Sequence, residues 1–142
     1  MSSAQGPSDQ LRPVPLADPD SALYWEACGE GRFILQRCTQ CHTLRFPPFP
    51  TCYECQSASM TWEEATSGTL YSWVTVYHAP LECFRNEVPY VVAVVDFGGG
   101  AKVPTRLVGA DELWAGMPVE PQFHNVNGQL LPYFTPTGVL AE

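Results

Sequence analysis

Basic residues are scarce in this chain. Seven Lys and Arg stand against fifteen Asp and Glu, for a formal charge of −8 over 142 residues. A phosphate backbone is met by clustered Lys and Arg, so this balance argues against nucleic acid and against an anionic membrane surface. Near Met1 there is no apolar segment of a signal peptide, and no run is long enough to span a bilayer. A reduced, cytoplasmic setting is the expectation. Histidine is limited to His42, His78 and His124, none in a triad-like context, so acid-base chemistry lacks an agent. Between Glu120 and Glu142 there is no charged residue. Prolines 121, 132 and 136 with Phe123, Tyr133 and Phe134 mark that end as a packed one, against its own fold or another chain.

What the chain does have is a cysteine cluster. Cys38-Thr-Gln-Cys41 and Cys52-Tyr-Glu-Cys55 are separated by ten residues, enough for a hairpin that folds one pair onto the other. Four thiolates suit tetrahedral Zn²⁺, which has no d-electron geometry to satisfy and accepts sulfur readily. A catalytic zinc keeps an open position, whereas four cysteines fill the sphere, so the site is read as structural and no catalytic residue is assigned. Cys28 and Cys83 remain, expected as buried small hydrophobes rather than nucleophiles.

Taken in order, residues 1–17 read as a flexible tail; Pro13, Val14, Pro15 and Leu16 are alternatively a segment that lies extended along a partner. Residues 18–30 are a helix, with Asp18 as cap, Pro19 in the first position, and Leu23, Trp25 and Ala27 as its docking side. Residues 31–65 form a zinc ribbon of short antiparallel strands, closed by Met60-Thr61-Trp62-Glu63-Glu64 and stiffened by Pro47, Pro48 and Pro50. Residues 66–142 turn to β. The strands cover about 69–77, 89–97, 101–108, 117–123 and 129–134. Gly98-Gly99-Gly100 and Asn127-Gly128 are hairpin turns, and Asp111–Ala115 is a short turn. The run from Pro89 to Phe97 is almost wholly apolar, so burial on both faces is expected. Five strands with a long loop at 79–88 after the first suggest a small Greek-key OB barrel.

Several motifs in order carry a resemblance. They are the Tyr24-Trp25 helix, Gly31-Arg32-Phe33 leading to Cys38, Arg45-Phe46-Pro47-Pro48, and Gly68-Thr69-Leu70-Tyr71-Ser72. Pro89-Tyr90-Val91-Val92-Ala93, Thr105-Arg106-Leu107-Val108-Gly109 and Gly116-Met117-Pro118-Val119 follow. Over about residues 20–136 the chain resembles the zinc-ribbon/OB-fold proteins associated with acyl-CoA thiolases and aldolases. The resemblance implies a mainly β fold: N-terminal helix, rubredoxin-like zinc ribbon and five-stranded OB-fold barrel. It implies a non-catalytic subunit that assembles with a thiolase-fold enzyme and helps form its acyl-CoA channel. The partner would perform retro-aldol cleavage of a steroid side-chain CoA ester, or thiolysis. A free-standing nucleic-acid module is the alternative from the residues alone. Metal ligands are Cys38, Cys41, Cys52 and Cys55. Candidates for CoA phosphate are Arg45, Lys102 and Arg106, each otherwise a solvated surface charge. Interface candidates are Tyr24, Trp25, Phe46, Pro47, Tyr133 and Phe134.

Overall fold

The computed structural model describes residues 13–137; the first twelve residues of the expected tail and the last five of the uncharged end lie outside the described residues. Helix α1 spans Ala22–Gly29. It starts later than the expected residue 18. The Asp18 carboxylate accepts from the Ser21 N–H at 2.8 Å and the Ser21 hydroxyl at 2.7 Å, closing a turn of its own ahead of the helix. The helix ends where Arg32 N–H reaches Ala27 O at 2.8 Å and the chain passes Gly31 at φ 78°, a left-handed exit that glycine makes without strain.

The docking side also differs. Tyr24, Ala27 and Cys28 are buried and Leu23 is 53% exposed. Spacings of three and four residues put the first three on one face, and Leu23 lies outside it. Cys28 and Cys83 are both buried, as expected.

Strands β1 (Ile34–Cys38), β2 (Leu44–Arg45) and β3 (Met60–Glu64) form an antiparallel sheet in the order β2-β1-β3. The barrel follows: β4 (Gly68–Val76), β5 (Tyr90–Gly98), β6 (Ala101–Leu107), β7 (Pro118–Val126) and β8 (Gln129–Pro136). It closes in the order β4-β5-β6-β8-β7, with β7 returning to β4. The β6–β8 pair is parallel, at Leu107 and Phe134. This is the five-stranded OB arrangement. Asn127 and Gly128 both have positive φ, as the two-residue turn between β7 and β8 requires.

One expectation fails on β5. Its inward residues Ala93 and Val95 are wholly buried, but Val92 is 36% exposed. A closed barrel has one interior, and among the described residues no second layer covers this outer face.

Ribbon, helix and barrel share one core. Phe33, just before β1, stacks on Phe97 of β5 at 5.4 Å and meets Phe134 of β8 edge-on at 5.4 Å and Tyr24 of α1 at 5.8 Å. The Gly98–Gly100 hairpin completes the joint. Gly99 O accepts the Leu44 N–H at 2.8 Å, and a Cβ on Gly100 would stand 3.2 Å from Leu44 O. The glycines let the hairpin tip touch the ribbon backbone directly.

Candidate metal centre and apolar groove

The two cysteine knuckles are built alike. His42 N–H bonds Cys38 O at 3.0 Å and Gln56 N–H bonds Cys52 O at 2.7 Å. Cys38 N–H then bonds Thr43 O, and Cys52 N–H bonds Ser57 O, each at 2.9 Å. His42 and Gln56 occupy left-handed φ of 67° and 66°, one residue past the second cysteine of each pair. Each turn points two sulfurs at the same place.

The four Sγ atoms lie within 4.8 Å of one another. Cys38 and Cys55 sulfurs are 3.5 Å apart, and those of Cys41 and Cys52 are 3.6 Å apart. A tetrahedron with Zn–S bonds of ~2.3 Å has edges of about 3.8 Å, so the set fits. Backbone N–H groups also face the sulfurs, Gln40 to Cys38 and Glu54 to Cys52, each at 3.4 Å.

The electrostatics point the same way. Donation from the Cys41 N–H leads in pulling the Cys38 thiol down to about 6. The Cys55 N–H does the same for Cys52, which also falls. Ser57 N–H works downward on Cys55, yet the neighbouring Cys38, Cys41 and Cys52 sulfurs outweigh it and push that thiol up to about 12. Four thiolates this close need a cation among them. With the coordination sphere filled by protein sulfur, a bound zinc would supply folding free energy rather than an open position for chemistry.

The other candidates separate. Arg45 is not a surface charge, being 1% exposed. Its guanidinium donates to Gln36 Oε1 at 3.1 Å and Phe49 O at 3.2 Å. Gln36 Oε1 also accepts the Phe49 N–H at 3.0 Å. Arg45 therefore pins the proline-rich segment to β1 from within and presents no open face to a phosphate. Lys102 is exposed, with its ammonium 5.0 Å from the Tyr71 ring centroid. Arg106 lies over the Tyr90 ring at 4.0 Å and pairs with Glu87.

Tyr24 and Phe134 are core residues at 3% and 0% exposure. They are too deep for a surface role because Phe33 lies against both rings. Burial pushes the Tyr24 hydroxyl far up, and the Cys28 thiol beside it up to about 11. Trp25, Phe46 and Tyr133 are half-buried and converge, with Pro15, Pro104 and Arg106, on an apolar groove of about 200 Å³. Pro47 is exposed, after a cis Phe46–Pro47 bond. Nothing in the sequence announced this groove, because its walls come from α1, the ribbon, β6 and β8. Of the histidines, His42 and His78 are exposed, and His124 stacks on Tyr133 with its Nε2 2.7 Å from Gln122 Oε1.

Comparison with known proteins matches both halves. Residues 25–61 fit the model of the ChsH2 rubredoxin-like zinc ribbon domain, and residues 63–124 fit that of the ChsH2 C-terminal OB-fold domain. A solved structure described as the Ltp2-ChsH2(DUF35) aldolase superposes with a TM-score of 0.74 at 38% identity, covering 87% of this chain and 98% of that one. This chain belongs to the ChsH2 (DUF35) family. A probable enoyl-CoA hydratase alpha subunit of Thermomonospora curvata is 41% identical over 89% of this chain. A 3-oxo-4,17-pregnadiene-20-carboxyl-CoA hydratase alpha subunit of Mycobacterium tuberculosis is 32% identical over 80%. This chain spans only 40% and 36% of those two relatives. A DUF35 structure from Sulfolobus solfataricus, at 13% identity and TM-score 0.59, shares the fold. Among the described residues no helix is long and apolar enough to cross a membrane.

Proposed function

We propose that this chain is a zinc-stapled, non-catalytic subunit that assembles with a thiolase-fold enzyme and helps shape the channel admitting its acyl-CoA ester. The partner would cleave a C–C bond, by retro-aldol cleavage of a steroid side-chain CoA ester or by thiolysis. The observation that carries this reading is the superposition over almost the whole ChsH2 chain of an aldolase whose description names a second component, Ltp2. Three features support it. The cysteine cluster is closed, with sulfurs at tetrahedral spacing and no position left for substrate. His42 and His78 are exposed, and His124 stacks on Tyr133 beside the Gln122 amide. The hydratase relatives contain a ChsH2-like part within a longer chain, as expected of a module that serves a neighbouring catalyst. Lys102 and Arg106, both facing outward on β6, remain the candidates for CoA phosphate; Arg45 does not.

The test is co-expression with a candidate thiolase-fold partner, such as the Ltp2 component named with the similar ChsH2 chain, followed by gel filtration. A single peak containing both chains and zinc is expected. Two separate peaks would sink the reading.

A further inference from the structure

The two cysteine knuckles are alike in backbone, and each has one buried and one open sulfur. Cys38 and Cys52 are 0% and 1% exposed, while Cys41 and Cys55 are exposed. The buried sulfurs are also screened by the turns they begin. Cys38 accepts the Gln40 N–H and Cys52 the Glu54 N–H, each at 3.4 Å, and such donation draws charge off a thiolate. Cys41 Sγ meets the Thr43 hydroxyl at 3.1 Å, and Cys55 faces the Ser57 N–H. Oxidants select thiolates that combine solvent access with a second sulfur poised to resolve the first product. Cys41 and Cys55 have both. Cys28 and Cys83, at 0% and 2% exposed and outside the four-sulfur cluster, have neither.

Each open sulfur lies beside a buried one of the other knuckle. Cys41 and Cys52 Sγ atoms are 3.6 Å apart, and those of Cys55 and Cys38 are 3.5 Å apart. With hydrogen peroxide as oxidant the chemistry runs in two steps. The Cys41 thiolate attacks one peroxide oxygen; the O–O bond breaks, hydroxide leaves, and a sulfenic acid remains on Cys41. The Cys52 thiolate then attacks that sulfur; the S–S bond forms and a second hydroxide leaves. Two thiolates have lost two electrons, and one peroxide has gained them. Cys38 and Cys55 alone are then left as ligands, too few to hold zinc in a closed tetrahedron, and the same two steps join them through Cys55. Both bonds cross between knuckles, so the oxidised ribbon stays stapled and reduction restores four ligands in place.

We infer that the four-cysteine centre is also a reversible peroxide switch, entered through the exposed Cys41 and Cys55 and oxidised to the disulfides Cys41–Cys52 and Cys38–Cys55 with release of zinc. The inference rests on the four-thiolate zinc assignment and goes beyond the partnership proposed above. A metal keeps its thiolates deprotonated at neutral pH, whereas a free thiol of ordinary pKa is thiolate only to a few per cent. The open sulfurs are therefore the chain's fastest thiols toward peroxide.

The experiment needs no substitution. The zinc-loaded full chain is treated with hydrogen peroxide in small stoichiometric steps. Zinc release is followed with a chromogenic chelator, and cysteine pairing by mass spectrometry of unreduced peptides. Zinc is expected to leave in step with the first disulfide, at a rate at least about tenfold above thiol loss from free glutathione. Cys41–Cys52 and Cys38–Cys55 are the expected pairs, with Cys28 and Cys83 still free thiols. Limiting iodoacetamide on the zinc-loaded chain should mark Cys41 and Cys55 ahead of Cys38 and Cys52. Dithiothreitol and added zinc together should restore the metal content. Any other pairing, first attack at Cys28 or Cys83, a rate no higher than glutathione's, or zinc retained after a disulfide has formed overturns the inference. So does oxidation that dithiothreitol cannot reverse. A chain that takes up no zinc refutes both the switch and the four-thiolate assignment, while the partnership is decided separately by co-expression.

Discussion

Truncating Phe33 to alanine tests whether ribbon and barrel fold as one body. The side chain is 1% exposed and touches rings from three other elements: Tyr24 of α1, Phe97 of β5 and Phe134 of β8. Removing a buried Phe costs about 3–5 kcal/mol, the lost transfer free energy plus the cavity left behind. The upper half of that range applies, because edge-on and stacked partners add about 0.5–1.5 kcal/mol per pair beyond area. A loss of about 4 kcal/mol is a thousandfold in the folding equilibrium and roughly 12 °C in midpoint for a chain of this size. The assay is thermal unfolding followed by two probes, zinc release for the ribbon and near-ultraviolet circular dichroism for the barrel. Both midpoints are expected to fall together. If zinc release moves and the barrel signal stays within 2–3 °C (a shift of about 1 kcal/mol) of the unaltered chain, the shared core does not couple them.

Further outcomes follow from the joint and the metal centre. Cys41→Ser should lower zinc content and unfold the ribbon, with complex formation lost as a consequence; full zinc retention, read by mass spectrometry, would refute the four-thiolate assignment. Gly68→Ala puts a Cβ 2.6 Å from Val95 Cγ1 and 3.2 Å from the Asp96 carbonyl. An overpacked site of this kind costs about 1–3 kcal/mol, checked by urea unfolding. Acid should release zinc. Protons compete with the ion for all four thiolates, so the metal's contribution is present at neutral pH and lost as pH falls. A colorimetric zinc titration from neutral pH into strong acid reads this; retention unchanged at the acid end would contradict it.

The local rules of the sequence carried far. The strands sit close to where β-branched runs end at turn residues, and β3 runs from Met60 to Glu64 as the sequence predicts. The cysteine spacing identified the four sulfurs that converge. What was not legible depends on contacts between distant segments. Tyr24 and Phe134 looked like surface anchors because aromatics at an end of the chain suit an interface, but Phe33 draws both into the core. Arg45 looked like a surface charge because nothing local shows that Gln36 and the Phe49 carbonyl surround it. The Gly98–Gly100 run reads as a hairpin, and only the fold reveals Leu44 resting on its tip. Apolar β5 looked buried on both faces because composition cannot distinguish a covered layer from the outer face of a closed barrel.

The most direct test of the account is native mass spectrometry of the assembly purified from co-expression, alongside turnover of the thiolase-fold enzyme alone and with this chain. The account predicts a mass containing both chains with one zinc per copy of this one, and C–C cleavage that depends on its presence. A partner that ionises alone and cleaves its substrate equally well without this chain would contradict it.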